Sequence, residues 1–220
     1  MGQDLDLEAY RRRYSRADRP GWEALDAAVA RLYPGRAPDE TRAPTVPHRF
    51  GGTDPLDQIV AFARPEAPTP HRHLISYGLS QLDYEEAAIG DAHSGWGFEL
   101  SLRIAGLGPV PRWAADRLQG LARYVERTER WFEPGCHIGF RHGLDPDAPT
   151  LLSGFLAAPD PEMPEIATPH GAVQFLQLIG ITGGEIAAIQ DGRVRAEALL
   201  AALRDRDPLG AVDLDRESLF

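Results

Sequence analysis

The sequence predicts an α/β (α+β) fold, one mixed and mainly antiparallel sheet flanked by helices. Three observations predict it. Strand-period and helix-period segments are interspersed along the chain rather than segregated. The clearest strand, Gly97–Ile104, alternates Phe98, Leu100, Leu102 and Ile104 with Glu99, Ser101 and Arg103, which is one apolar and one polar face. The 22 glycines and 19 prolines among 220 residues call for many turns, more than a simple helix bundle needs.

The elements follow in order. Residues 1–20 read as a polar segment whose Arg11, Arg12, Arg13, Arg16 and Arg19 form a solvated helix face. Residues 21–220 read as a single domain, long enough to bury a core. Trp22, Leu25, Val29 and Leu32 make a helical stripe between Pro20-Gly21 and Pro34-Gly35. A loop over 37–53 leads to a strand at Ile59–Phe62. A proline-rich loop over 65–70 leads to a second strand from His71 into Gly78. Pro111 is expected at the first position of a helix that carries Ala114, Leu118, Leu121, Ala122 and Val125 and ends near Trp131. Ile138–Phe140, Leu151–Ala157 and Glu165–Ala167 read as short strands. Ala172–Ile179 is a near-continuous apolar run that suits a central strand or a buried helix. Thr182-Gly183-Gly184-Glu185 has capping-box spacing and opens a short helix through Ile189. Ala196–Leu203 is a second short helix, and Ala211–Leu214 is expected to add an edge strand.

Composition excludes several classes. With 33 acidic and 23 basic residues the formal net charge is −10, which disfavours nucleic acid and anionic membranes as partners. No run approaches the roughly 20 apolar residues of a membrane span. The first 20 residues hold no apolar signal-peptide core, so the expected compartment is the cytoplasm. Cys136 is the one cysteine, so neither an internal disulfide nor a multi-cysteine zinc site is available. Every basic residue is arginine, which points to a GC-rich bacterial genome and rules out lysine Schiff-base and P-loop chemistry.

Residues that could carry chemistry are few. His71 and His73 share one face of a strand, as two ligands of a metal ion would, and they define the alternative reading of a small metal-dependent enzyme. The plainer reading makes them structural, with no metal and no other cofactor. Cys136 and His137 are adjacent on an extended segment and point apart. There is no Gly-x-Ser-x-Gly elbow, and neither Gly95-x-Gly97 nor Gly106-x-Gly108 continues into a dinucleotide fingerprint. No catalytic residue is assigned. Glu99 is expected to be tied to an arginine or to backbone donors. In Ser94-Gly95-Trp96-Gly97-Phe98-Glu99-Leu100, the glycines mark either a bulge with Trp96 packed on a neighbour or a groove lined by Trp96. The loop Asp83–Ser94 carries Asp83, Glu85, Glu86 and Asp91 and no basic residue, so it is expected to be mobile and to favour a cationic partner.

Several motifs occur in a telling order. Gly52-Thr53-Asp54-Pro55-Leu56-Asp57 precedes His71-Arg72-His73-Leu74-Ile75-Ser76-Tyr77-Gly78-Leu79-Ser80, then the Ser94–Leu100 motif and Leu118-Gln119-Gly120-Leu121-Ala122-Arg123-Tyr124-Val125. Asp160-Pro161-Glu162, Thr168-Pro169-His170-Gly171 and Phe175-Leu176-Gln177 follow. The series resembles the Suppressor of fused family, in particular the N-terminal domain of its animal members. The resemblance implies a non-enzymatic module that binds and sequesters another protein. In animal members two domains close on an extended peptide that pairs as a strand, and 220 residues supply only the N-terminal half of that clamp. An acidic position and a tyrosine that contact the peptide carry over to Asp91 and Tyr84, the tyrosine one residue late; Trp96 stands beside them. Bacterial one-domain relatives resemble immunity proteins that neutralise toxins in polymorphic toxin systems. The implied partner is therefore another protein or extended peptide, basic in character.

Overall fold

The polar residues that alternate along Gly97–Ile104 do not face water. In the computed structural model, which describes residues 6–46 and 48–220, Glu99, Ser101 and Arg103 are as fully buried as Leu100 and Leu102. Residues 1–5 of the N-terminal segment lie outside the described residues. The reason for the burial is the position of the strand. β4 (His93–Ala105) lies in the middle of a sheet ordered β1 (Glu40–Arg42), β2 (Gln58–Arg64), β3 (His71–Tyr77), β4, β8 (Gly171–Thr182), β6 (Leu152–Pro159) and β5 (His137–Gly139). Helices cover both sides of it. A further strand, β7 (Ile166–Thr168), pairs with the start of β8. Every pairing is antiparallel except β4 with β8. The run Ala172–Ile179 is thus a central strand, hydrogen-bonded on both edges.

One face of the sheet holds the larger core. Leu74, Leu100, Leu102, Leu176 and Leu178 pack against α3 (Arg112–Thr128) through Trp113, Ala114, Leu118, Leu121 and Val125. Pro111 is not the first helical residue: its ψ of 143° is extended, so it caps the helix from outside. The helix stops at Thr128, short of Trp131, because Glu129 turns left-handed at φ 53°.

The other face is covered in two parts. α2 (Pro20–Leu32) lies over Val60, Phe62, Ile75 and Phe175, whereas α5 (Ala196–Arg206) lies over Leu156, Ala158, Ile179 and Ile181. Along β8, Phe175 belongs to the first part and Ile179 to the second, with Gln177 between them. The polar row of β4 and its neighbours fills that seam. Arg103 donates to both oxygens of Asp160 at 2.8 and 2.9 Å and to Glu162 at 2.9 Å, Arg64 forks onto Glu162, and Ser101 donates to Asp160 at 2.5 Å. Burial by itself would raise the Asp160 carboxyl, but His73 and Arg103 outweigh it and hold the group well below the usual carboxylate range. Charges buried this deeply persist only when paired and hydrogen-bonded.

Two smaller elements complete the domain. α4 (Gly183–Gln190) opens with the capping box read from the sequence: Thr182 and Glu185 each accept the other's backbone N–H. The expected strand at Ala211–Leu214 is reduced to one bridge. Pairing of β4 with β8 ends at Ser101, which leaves Arg103 and Ala105 free to bond Val212 at 2.8 and 2.9 Å. Among the described residues no helix is long and apolar enough to cross a membrane.

The start of α2 is docked by a close backbone approach. The Gly21 and Trp22 amides donate to Leu82 O, and a Cβ on Gly21 would sit 1.9 Å from Gln81 O. Gly21→Ala should therefore cost about 1–3 kcal/mol of stability by overpacking, read from urea unfolding. A loss below about 0.5 kcal/mol, the range of a neutral surface change, would contradict this docking.

Candidate functional site

The loop between β3 and β4 is held at its base by Glu99. Its Oε1 accepts from Gly78 N, Ser80 N and Ser80 Oγ at 3.0, 2.9 and 2.7 Å, and its Oε2 accepts from Ser76 Oγ at 2.6 Å. The ties are backbone and hydroxyl donors with no arginine among them. Burial pushes this carboxyl above its ordinary range, and the four donors oppose the shift. Ser94 and Gly95 close the loop from the other side: Ser94 Oγ accepts from Gln81 N, and Trp96 N donates to Leu79 O at 2.8 Å. Gly95 is left-handed at φ 57°, and a Cβ there would lie 2.7 Å from Leu79 O, so this position needs glycine.

Beyond its base the loop is tied to the N-terminal segment. α1 (Leu7–Arg13), capped by Asp6, places Arg11 on Glu86 in a two-point contact at 2.9 and 2.5 Å. Tyr84 adds a hydrogen bond to the same carboxylate at 2.5 Å, and Arg11 and Tyr84 hold Glu86 down at about 2. Arg19 bridges Asp83 and Asp57 and stacks over Trp22. Glu85 caps the short turn Glu86–Ala88. Two sequence expectations need correction here. The arginines read as one solvated helix face divide: Arg11, still half-exposed, pairs with Glu86, and Arg19, beyond the helix, pairs with Asp57 and Asp83. The mutual repulsion expected to loosen the acidic loop is relieved by these two arginines, which approach from far away in sequence.

The structure brings two of the expected binding residues to one end of the molecule. Tyr84 packs on Tyr10, ring centroids 4.9 Å apart. Asp91 is exposed on the wall of a groove of about 730 Å³ between α1, α2 and the β7–β8 turn, lined by Tyr14, Ala27, Thr168 and Gly171 among others. Three carboxylates, Asp6, Glu23 and Asp91, face it against one arginine, Arg13. Trp96 lies elsewhere. A register shift between His93 and Phe98 makes the bulge that one reading foresaw, and Trp96 packs on the α3 side of the sheet. There it meets Trp131 edge-on at 6.4 Å, and Trp131 in turn meets His93 at 5.4 Å. Trp131 is 45% exposed; sequence reading used it only to end a helix. His170, quoted in the Thr168–Gly171 motif, lies instead against the Tyr10 hydroxyl and Gln81 O.

His71 and His73 do share a face, but the chemistry around them does not suit a cation. Each is buried in the seam beside Arg103. His71 Nδ1 donates to Thr69 O at 2.7 Å, and His73 Nδ1 meets the Tyr33 hydroxyl at 2.7 Å. His73 Nε2 lies 3.4 Å from Asp160, off the line of a good hydrogen bond. Burial and the Arg103 charge push His73 down to about 4. A metal would have to displace a guanidinium already committed to the nearest carboxylates. Among the described residues no group of three or more His, Cys, Asp or Glu is placed to hold an ion.

Comparison with known proteins identifies the family. The family model described as Suppressor of fused protein (SUFU) matches residues 52–217. The chain belongs to the Suppressor of fused family. The Suppressor of fused homologs of Homo sapiens and Mus musculus are each 36% identical to it over 181 residues, which cover 77% of this chain and 37% of theirs. The chain thus spans little more than a third of the length of these curated relatives. Among solved structures, a chain of the Sufu-Fu complex overlays with a TM-score of 0.82 at 29% identity, covering 91% of this chain and 92% of that one. Drosophila Suppressor of Fused overlays with a TM-score of 0.80 at 29% identity, covering 94% of this chain and 52% of that one. A putative SUFU homolog from Neisseria gonorrhoeae shares the fold, with a TM-score of 0.59 at 15% identity over 90% of this chain and 96% of that one. The SUFU match includes the loop with Tyr84 and Asp91 and all of β4, β7 and β8. It starts after α1 and α2.

The buried histidine gives this SUFU domain a pH signature. His73 stays neutral in the folded state down to about 4, whereas in the unfolded chain it takes up a proton near its ordinary 6.5. The unfolded state therefore binds more protons between these values, and stability falls as pH is lowered through the window. Glu99, shifted upward, acts in the opposite direction near and above 4.5. Unfolding free energies from urea titrations at pH 7.0, 5.5 and 4.5 should decline on the order of 1–3 kcal/mol in total, with a shallower decline in His73→Gln. Identical slopes for the two proteins would contradict the assignment. For the metal question, protein prepared without added metal should carry no stoichiometric zinc or iron, and a chelator should leave the melting temperature unchanged. A one-to-one metal content would support the metal-dependent enzyme reading instead.

Proposed function

We propose that this domain is a non-enzymatic protein-binding module that sequesters another protein in the cytoplasm by taking an extended, basic segment of it into the groove beside Asp91. The observation that carries the reading is the make-up of that groove. Its floor is small side chains and backbone from β7 and the start of β8. Its rim carries Asp6, Glu23 and Asp91. β7 pairs with β8 alone among the described residues, and an added strand would extend the sheet from its other edge. Strand addition supplies affinity through the backbone, and the acidic rim selects a cationic segment. A relative in complex, Sufu with Fu, supports a protein as the ligand class. The finer reading is an immunity protein that neutralises a basic toxin. The net charge of −10 suits it, because opposite charge speeds the encounter with such a partner.

The test is calorimetry with the protein that co-purifies at stoichiometric ratio from native cells. Asp91→Ala should weaken binding by about 1–3 kcal/mol, as for a partly desolvated charge contact, and leave folding stability unchanged. Hydrogen exchange should show new protection at Gly90–Ala92 and in β7. Equal affinity of the two proteins, with protection confined to other surfaces, would remove this groove from the function.

A further inference from the structure

α1 is attached to the domain in an unusual way. It has seven residues, too few to persist as a helix in isolation. Tyr10 is its one buried residue, and Leu7 is 40% exposed. Tyr10 fills a notch made by Tyr14, Tyr84 and His170, with ring centroids 5.1, 4.9 and 5.7 Å away. Its hydroxyl oxygen accepts from Glu85 N at 3.1 Å and shares a 2.7 Å hydrogen bond with His170 Nε2. His170 Nδ1 donates to Gln81 O at 3.2 Å, and in the neutral ring this leaves Nε2 to accept the Tyr10 proton. One residue on, the Arg11 guanidinium forks onto Glu86. The notch therefore recognises an aromatic hydroxyl followed by a guanidinium. None of these contacts requires covalent connection to α2, which begins beyond the polar turn Tyr14–Arg19.

We propose that α1 is a displaceable ligand held in cis, and that the surface beneath it, formed by Tyr84, Glu86 and His170, accepts a helical partner segment presenting a tyrosine followed by an arginine. The proposal rests on the reading that this acidic end of the domain binds a partner, and it adds the regulation of that site. Asp6, Arg13 and Tyr14 form one wall of the Asp91 groove, so departure of α1 opens the groove, removes Asp6 together with Arg13 and leaves Glu23 and Asp91 as its carboxylates. The segment also precedes the residues matched by the family model.

A synthetic peptide of residues 6–18 serves as the probe, added in trans to full-length wild type, Tyr10→Ala and Arg11→Glu. Wild type should bind it weakly because the notch is filled. Both variants should bind it at least tenfold more tightly and keep a cooperative melting transition. Adding Glu86→Arg to Tyr10→Ala should abolish that gain, and a peptide carrying Arg11→Glu should restore it. Equal peptide affinity in all three proteins would overturn the proposal. So would hydrogen exchange of the wild-type α1 amides only at the rate of the β4 and β8 amides, since α1 would then be an integral part of the core. No partner protein enters this experiment, so a working latch combined with a silent Asp91→Ala would count against the binding reading alone.

Discussion

The buried polar face of β4, and above all the Arg103–Asp160 pair, is the constraint from which the rest of the structure follows. A guanidinium in the centre of a sheet, covered on that side by helices, requires a carboxylate that is equally buried. Asp160 supplies it from the end of β6, and its Oδ1 also accepts from Glu162 N and Met163 N, which turns the chain toward β7. Two residues along the same face, Ser101 adds to Asp160; two further, Glu99 gathers the donors of Gly78 and Ser80 and fixes the start of the acidic loop. One row of side chains thus positions both sides of the groove, the loop bearing Asp91 and the strand β7.

This arrangement separates a rigid part from a yielding one. The seam and the two cores beside it are closely packed, with the charged groups neutralised in pairs. The N-terminal helix is held from outside by one tyrosine and a half-exposed ion pair, the kind of contact that contributes about 0–1 kcal/mol. Elements that open locally are drawn from the low-stability end of a structure. In the acidic loop, Asp83 and Glu86 are paired in cis with Arg19 and Arg11, which offsets part of the like-charge repulsion there.

Periodic features were the most legible in the sequence. The apolar alternation in β4, the α2 and α3 stripes and the Thr182 capping box all depend on local spacing, which survives without tertiary context. What period two could not show was whether the polar face of β4 met water or a second layer; that depended on α2 and α5 arriving from opposite ends of the chain. Arg11 and Arg19 read as solvated because their carboxylate partners lie more than 35 residues away. Asp91 and Tyr84 were reached through motif order and do fall at one end of the domain, but Trp96 was drawn toward them by sequence proximity alone. The bulge at Gly95–Gly97 turns it to the other side of the sheet, where Trp131 joins it.

The claim that the buried pair organises the domain is tested most directly by a double-mutant cycle on Arg103→Met and Asp160→Leu, read by urea unfolding. Arg103→Met leaves the Asp160 carboxylate buried without its guanidinium, and Asp160→Leu leaves Arg103 with Glu162 as its one carboxylate; each should cost about 3–5 kcal/mol. The double variant leaves no such charge, and its loss should fall below the sum of the singles by about 2 kcal/mol or more. Losses that simply add would mean that the two residues stabilise the fold independently, and would contradict the central role given to their pairing.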